Sequence, residues 1–282
     1  MKRIDGKQIS EEICRKLKED INKTCGRKPG LACVLVGEDP ASRIYVTMKI
    51  NKCQEMGIYS KIIEFSKNVS EKEIIEELAH LNQNRCIDGI LVQQPLPKHL
   101  STAKIIEAMG PEKDVDGFHP LNMGKLLLGE GGGFVPCTPL GIVKLLEKCG
   151  TQVEGKHVVI VGRSNIVGKP LALLLLQKGK YCNATVTVTH SGTQHLAEQC
   201  RRADILIVAI GNPLFIKDTM VKRGAVVIDV GMNRIDKGIV GDVDFESVKE
   251  IASKITPVPG GVGPMTIAML LSNTYKSFKR KC

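Results

Sequence analysis

Apolar and polar positions along the chain fall into short blocks of two alternating kinds. Leu31-Ala32-Cys33-Val34-Leu35-Val36-Gly37 is a continuous apolar run closed by glycine, the pattern of a buried strand. A helical pattern opens near Pro40 and ends about Gly57, and a strand follows at Lys61 to Phe65, so this stretch predicts a βαβ unit. Ser70 and Glu73 form a capping box for a helix running to about Asn82, and Ile87 to Val92 is the next strand. From His157 the alternation restarts with strand His157 to Val161, helix Gly168 to Lys178, strand Ala184 to Thr189, helix Gln194 to Arg202, strand Asp204 to Ala209 and strand Val226 to Val230.

Strands that recur with helical spacers give parallel sheets with right-handed crossovers. The expected fold is α/β, with two doubly wound parallel-sheet domains separated by a cleft, the second of Rossmann type. The boundary is placed at the helix Leu140 to Lys148, after the glycine-rich loop Gly129 to Gly133. The first domain precedes this boundary and the second follows it.

Composition changes this picture little. At 282 residues with 43% apolar residues, the chain buries a full core in two domains. The net charge of +10 suits an anionic partner such as a phosphorylated cofactor, a polycarboxylate or nucleic acid. Aromatics are only 4%, with no Trp, and the basic residues are dispersed, which argues against stacking platforms for single strands. Ten cysteines are scattered from Cys14 to Cys282 without a Cys-x-x-Cys pair and read as reduced thiols. Neither a signal peptide at Met1 to Gly6 nor an apolar run long enough to span a bilayer is present, so the expected location is cytoplasmic, without membrane attachment.

Candidate chemistry begins at Val158 to Pro170, a strand, a glycine turn at Gly162 and a helix start at Gly168, the context of a dinucleotide phosphate loop. The generic Gly-x-Gly-x-x-Gly pattern would put a second glycine where Ser164 stands. The next strand ends in His190-Ser191-Gly192-Thr193 rather than in the carboxylate that bonds NAD ribose hydroxyls. Ser191, a possible cation at His190 and the Arg163 guanidinium suit a 2′-phosphate, which favours NADP; His190 could equally be a surface turn residue. The strand ends Ala209 to Pro213 and Ile228 to Asn233 place glycines where ligands dock in open α/β sheets, or simply make tight turns.

In the first domain, Ser42, Tyr45 and Lys49 share one helix face at i, i+3 and i+7. That puts a phenol one turn from an ammonium that can serve as proton donor, or leaves an ordinary solvated lysine. Strand Ile90 to Val92 runs into Gln93-Gln94-Pro95-Leu96-Pro97, so a neutral amide emerges at a strand end and is held by prolines. Asp114 and Asp116 flank Val115; two carboxylates without clustered His do not make a catalytic zinc site, so no metal is expected. The run Pro257-Val258-Pro259-Gly260-Gly261-Val262-Gly263-Pro264-Met265-Thr266 is six-tenths Pro and Gly. It is either a shaped loop, with Pro264 at the first position of a helix and the N–H groups of Gly261 to Met265 facing an oxygen-rich ligand, or a stiff connector.

Together, Ser42 to Lys49, Val92 to Pro97, Lys113 to Phe118, Pro136-Cys137-Thr138-Pro139, Gly162-Arg163-Ser164 and Pro257 to Thr266 resemble the bifunctional methylenetetrahydrofolate dehydrogenase/methenyltetrahydrofolate cyclohydrolase family over nearly the whole chain. The resemblance implies that Lys49 is the general acid/base, Tyr45 stacks on the folate, Gln93 tunes Lys49 and Asp116 bonds the pterin. It implies that Val92 and the stretch Pro259, Gly260, Gly261, Val262 and Gly263 contact substrate, the latter beside the nicotinamide. Gly162, Arg163, Ser164, Ser191 and Met232 would contact NADP. The resemblance also implies that the last helix returns to the first domain, which assigns residues 1–139 and 266–282 to a folate-binding domain and residues 140–265 to an NADP-binding one, and it implies a homodimer serving one-carbon supply and purine biosynthesis. The alternatives are a monofunctional member, or another two-domain NADP dehydrogenase of amino-acid or shikimate type.

Overall fold

The computed structural model describes residues 2–236 and 238–281, and of Ala41 only the backbone. Met1 and Cys282 of the sequence reading lie outside the described residues. In chain order the elements are β1 (Lys2–Arg3), α1 (Gly6–Asn22), β2 (Gly30–Val36), α2 (Pro40–Met56), β3 (Tyr59–Phe65), α3 (Glu71–Gln83), β4 (Gly89–Val92), α4 (Thr102–Glu107), α5 (Pro120–Leu128) and α6 (Cys137–Lys148). They continue with β5 (His157–Val161), α7 (Gly168–Leu176), β6 (Thr185–Thr189), α8 (Leu196–Arg201), β7 (Ile205–Val208), a single 3₁₀ turn at Asp218–Met220 and β8 (Val226–Asp229). The hairpin β9 (Asn233–Ile235) and β10 (Gly238–Val240), α9 (Phe245–Val248), β11 (Lys254–Ile255) and α10 (Val262–Lys279) complete the chain.

Two compact units result, one of residues 12–135 with 267–282 and the other of residues 1–11 with 136–266. In the first, three parallel strands run in the order β3-β2-β4. Continuous apolar sequence makes β2 buried on both faces. Alternation sends Ala32, Val34 and Val36 to the side where Ile74, Leu78 and Leu81 of α3 complete a core. Ser70 caps α3 in the expected box with Glu73, and Asp39 caps α2, whose far end closes on Gly57 in the left-handed conformation. Connections leave β2 for β3 on one side and return to β4 on the other, so the carboxyl ends of β2 and β4 flank a topological switch point.

The second unit carries a six-stranded parallel sheet in the order β1-β11-β8-β7-β5-β6. Val159, Val161, Leu206, Val208 and Val227 pack with Cys200, Ala203, Val248 and Ala252 in its core. Here the switch point falls between β5 and β7.

Three expectations need correction. Residues 1–11 join the 136–266 unit, because Lys2 and Arg3 pair with Lys254 and Ile255 as an added edge strand. The boundary precedes α6 instead of cutting it: Gly141 packs on Met265, and the Thr138 and Thr266 hydroxyls bond at 3.0 Å, which keeps α6 with this unit. Finally, α10 starts at Val262, so Pro264 is its third residue; an N–H missing from the first turn costs no intrahelical bond, and the position tolerates proline.

Candidate active site

In the first unit, α2 turns one face inward through Val46, Lys49, Ile50 and Cys53, at the i, i+3, i+4 and i+7 spacing of a buried stripe. Lys49 is therefore a charged residue in an apolar row, only 8% exposed. Its Nζ donates to Gln93 Oε1 at 3.0 Å. Gln93 lies just past the carboxyl end of β4, and its own Nε2 donates to Gln94 O at 2.7 Å, which fixes the amide with its oxygen toward the lysine. The peptide between Gln94 and Pro95 is cis. The acceptor bonded to Nζ is thus a neutral amide.

Tyr45, one turn before Lys49, is half-buried, and burial pushes its phenol above the ordinary value. Ile44 and Met48 beside it are 53% and 50% exposed, an apolar shelf on the outer part of the helix. Ser42 is buried and its backbone N–H donates to the Asp39 cap at 2.8 Å, so its place on this face is structural.

The Lys113 to Phe118 segment divides its labour. Lys113 Nζ donates to Leu81 O and Asn84 O, both at 2.8 Å, and so closes the end of α3. Asp114 is fully buried and accepts from Gly117 N, His119 N and Asn122 Nδ2, which bends the chain around Asp116. Val115 packs so tightly on Gly89 that a Cβ there would lie 2.8 Å from it. Asp116 is left partly exposed on this turn. Burial pushes the Cys33 thiol up to about 12, opposed by the Lys49 ammonium and assisted by the Asp116 carboxylate, so both charges reach one point on β2. Cys53 is likewise raised by burial and by Cys33, against Lys49. These two thiols were not singled out in the sequence, although Cys53 follows Lys49 by one helical turn and Cys33 lies in the apolar run.

The 136–266 unit presents the expected dinucleotide residues. Gly162 has φ +122°, and a Cβ there would lie 2.2 Å from Ala209 O, so only glycine fits between β5 and β7. Gly168 is equally constrained, its would-be Cβ 2.1 Å from Gly162 O. Ser164 Oγ accepts from Val167 N at 3.1 Å and Gly168 N at 3.4 Å. The hydroxyl that replaces the second glycine of the generic pattern thus satisfies donors at the start of α7. Arg163 and Ser191 are exposed. His190 Nδ1 accepts from Gly192 N at 3.1 Å, which ties the ring to its own turn. Met232 is 42% exposed after the end of β8. An exposed turn with Arg163, a hydroxyl at Ser191 and no carboxylate after β6 fits a 2′-phosphorylated dinucleotide.

Within the same unit, Gly260 O accepts from Lys7 N at 3.0 Å, and a Cβ on Gly6 would lie 1.8 Å from Gly261 O. Gly261 in turn faces Pro257 O at 2.5 Å, and Gly263 faces Met232 Cε at 3.0 Å, from would-be Cβ positions. The close backbone approach anticipated for these glycines is accounted for by the start of α1 and the loop's own turn.

Sequence reasoning missed a carboxylate pair at this edge. Asp242 accepts from Ile210 N, Gly211 N and Asn212 N at 2.7, 3.0 and 2.9 Å and from Asn233 Nδ2 at 2.8 Å. Asp229 accepts from Gly231 N, Asp242 N and Val243 N. The visible signal was Gly241-Asp242-Val243-Asp244 after a glycine-ended strand.

A pocket of about 460 Å³, lined by Arg27, Arg85, Glu112, Lys113 and Lys281 among others, lies at the amino ends of β2 and β4, away from Gln93. Burial and the nearby Lys281 and Arg27 charges bring Lys113 down to about 8. Among the described residues no group of three or more His, Cys, Asp and Glu is placed to hold a metal ion, and no helix is long and apolar enough to cross a membrane.

Comparison with known proteins matches both units. Residues 4–116 match the family model for the tetrahydrofolate dehydrogenase/cyclohydrolase catalytic domain, and residues 136–282 match that for its NAD(P)-binding domain. The bifunctional protein FolD of Halothermothrix orenii is 56% identical over 279 residues, covering 98% of this chain and 97% of that protein. The crystal structure of the bifunctional enzyme FolD from Campylobacter jejuni superposes with a TM-score of 0.96 at 48% identity, covering 100% of each chain. That of the Trypanosoma brucei enzyme, complexed with NADP cofactor and inhibitor, gives 0.93 at 37% identity over 99% of this chain and 97% of that one. The buried lysine and its amide partner, the Ser164-capped turn and both matched units agree: the chain belongs to the tetrahydrofolate dehydrogenase/cyclohydrolase family.

Proposed function

We propose that this protein is a bifunctional one-carbon enzyme. It oxidises 5,10-methylenetetrahydrofolate to 5,10-methenyltetrahydrofolate with NADP and hydrolyses the product to 10-formyltetrahydrofolate. The observation that carries the reading is the buried Lys49 ammonium bonded to the neutral Gln93 amide at a strand switch point.

NADP, when bound, supplies the acceptor for a hydride leaving the one-carbon bridge. Gly162, Arg163, Ser164, Ser191 and Met232 would hold it: the glycine by admitting close approach, the arginine and the Ser191 hydroxyl by bonding a 2′-phosphate, Ser164 by shaping the turn, and the methionine by apolar contact.

On the substrate side, Tyr45 with its apolar neighbours gives an aromatic ring a stacking surface. Asp116 offers a carboxylate to the N–H groups of a pterin, and Val92 lines the strand end beside Gln93. Lys49 does the proton work of hydrolysis. Lys49 acts as base in its free-amine form: water adds to the cationic methenyl carbon and one of its protons passes to the Nζ lone pair, the resulting ammonium protonates the ring nitrogen as the carbon–nitrogen bond breaks, and the remaining hydroxyl proton leaves to solvent as the formyl carbonyl forms. One proton is released overall, so charge balances between the methenyl cation and the neutral formyl product. Gln93 keeps Nζ aimed without ion-pairing it, the role of a positioning acceptor.

Pro259, Gly260, Gly261, Val262 and Gly263 complete the proposed substrate contacts, with Gly260 held at φ +100° as the local support. A homodimer in the cytoplasm belongs to the same reading; sedimentation and cell fractionation test those two points. For the activity itself, purified protein is mixed with methylenetetrahydrofolate and NADP, and NADPH formation and methenyl absorbance are followed together. NADPH appearance with transient methenyl is expected. NADPH formation with methenyl accumulating at the uncatalysed decay rate would leave a monofunctional dehydrogenase, and no NADPH would remove the reading.

A further inference from the structure

Asp229 and Asp242 are 3% and 0% exposed, and among the described residues neither makes a salt bridge to a lysine or arginine. Burying two carboxylates side by side is costly unless each is richly hydrogen-bonded. Both are. Asp242 takes three successive backbone N–H groups from the loop after β7 and the Asn233 side chain from just after Met232. Asp229, the last residue of β8, takes Gly231 N and the backbone N–H groups of Asp242 and Val243, so the first carboxylate positions the residue that bears the second.

Glycines make room for both groups. A Cβ on Gly241 would lie 1.8 Å from Asp229 Oδ2, and one on Gly231 would lie 2.3 Å from Asp242 Oδ1. The bonded loops contribute little to the core: Gly211 and Asn212 are exposed, as is Met232. What the pair holds is the carboxyl-end edge of β7 and β8, next to the Gly162 turn, whose would-be Cβ meets Ala209 O. In an open α/β sheet that edge is where a dinucleotide docks.

We infer that the Asp229–Asp242 relay pre-organises the dinucleotide-contacting loops of this unit, with Asp242 a positioning residue for NADP. This rests on the NADP-dependent reading given above. In Asp242→Asn the amide keeps one acceptor oxygen and turns a donor NH₂ toward backbone N–H groups, so part of the loop loses its anchor. Loss of one or two charge-assisted hydrogen bonds predicts weaker cofactor binding without effect on a reaction that uses no NADP.

The experiment uses full-length wild-type and Asp242→Asn protein. Binding is read from NADPH fluorescence titration, dehydrogenation from the NADP KM, and hydrolysis from methenyl decay without NADP. The NADPH Kd and the NADP KM should rise about ten- to hundredfold. Hydrolytic kcat/KM should stay within about twofold. An NADPH Kd unchanged in folded Asp242→Asn, or a parallel loss of NADPH binding and hydrolysis, overturns the inference. If Asp242→Asn does not fold, Asn233→Ala, which removes one donor to the same carboxylate, decides: a several-fold rise in NADPH Kd alone supports the inference and no change overturns it. Wild-type protein that binds NADPH but turns over no folate would sink the functional reading while Kd still judges the relay; wild-type protein that binds no NADPH overturns both.

Discussion

Lys49 on α2 and Gln93 beyond β4 are 44 residues apart in the chain and 3.0 Å apart in space, ammonium to amide oxygen. The contact exists because β2 sits between β3 and β4, so that the helix following β2 reaches the end of β4. A lysine in an apolar row with an uncharged acceptor is poorly explained by stability and well explained by proton transfer.

Replacing this lysine separates the two proposed activities. In Lys49→Met, hydrolysis of the methenyl compound should fall about 10²- to 10⁴-fold, the usual contribution of a positioned acid/base. NADPH affinity should remain, since every proposed NADP contact lies in residues 162–232 of the other unit. Stopped-flow decay of the methenyl chromophore and an NADPH titration measure both. Undiminished cyclohydrolase turnover would remove Lys49 from the mechanism.

Cofactor choice turns on Arg163 and Ser191. Both are exposed, and the end of β6 carries no carboxylate to bond ribose hydroxyls. Arg163→Ala should raise the NADP KM about ten- to hundredfold, the scale of a lost charge-assisted bond, and leave the NAD KM nearly unmoved. Equal losses for the two cofactors would mean that Arg163 does not read the 2′-phosphate.

The architecture and the Lys49 helix face were legible because they are periodic. Seven consecutive buried residues in β2, the Ser70 box and the glycine-ended strands are local signals. The N-terminal strand was not legible: two residues have no period, and their partner, β11, is 252 positions away in register. Helix α1 was missed although Ile9, Ile13, Leu17 and Ile21 recur at helical spacing, a signal overlooked beside the stronger motifs. Asp229 falls within a predicted strand and Asp242 is not singled out, since the value of Asp242 comes from the loop after β7, which topology alone brings to it. The Pro257 to Thr266 run reads as either a shaped loop or a stiff connector, and that its glycines meet Gly6 required the fold.

That meeting predicts a stability effect. A methyl at Gly6 would lie 1.8 Å from Gly261 O and 2.6 Å from its carbonyl carbon, both backbone atoms that cannot rotate away. Gly6→Ala should cost at least about 1–3 kcal/mol, the range for an overpacked site. Gly131→Ala, with nothing within 4 Å of its would-be Cβ, should be close to neutral. Urea unfolding of the two variants compares them directly; equal midpoints would show that α1 shifts freely at its start.

Asp229 ties stability to pH in an unusual direction. Burial pushes its carboxyl up from 3.8 to about 7, helped by Asp242 and opposed by the N–H groups of Val243, Asp242 and Gly231. Between those two values the folded protein holds a proton that the unfolded chain has released. The unfolded state therefore binds fewer protons, and this group's contribution to stability falls as pH rises, levelling off above about 7. Surface carboxylates such as Asp204 and Asp244 are lowered by their bonds to Lys222 and Lys217 and act oppositely, losing stability as pH falls through their own range. Asp229→Asn removes the titration and isolates the term. Between about pH 5 and pH 8, urea unfolding free energies of the variant should gain on those of the wild type by at most about 1.4 kcal/mol per pH unit. A gap between the two proteins that stays constant over that interval would show that Asp229 is ionised throughout in the folded state.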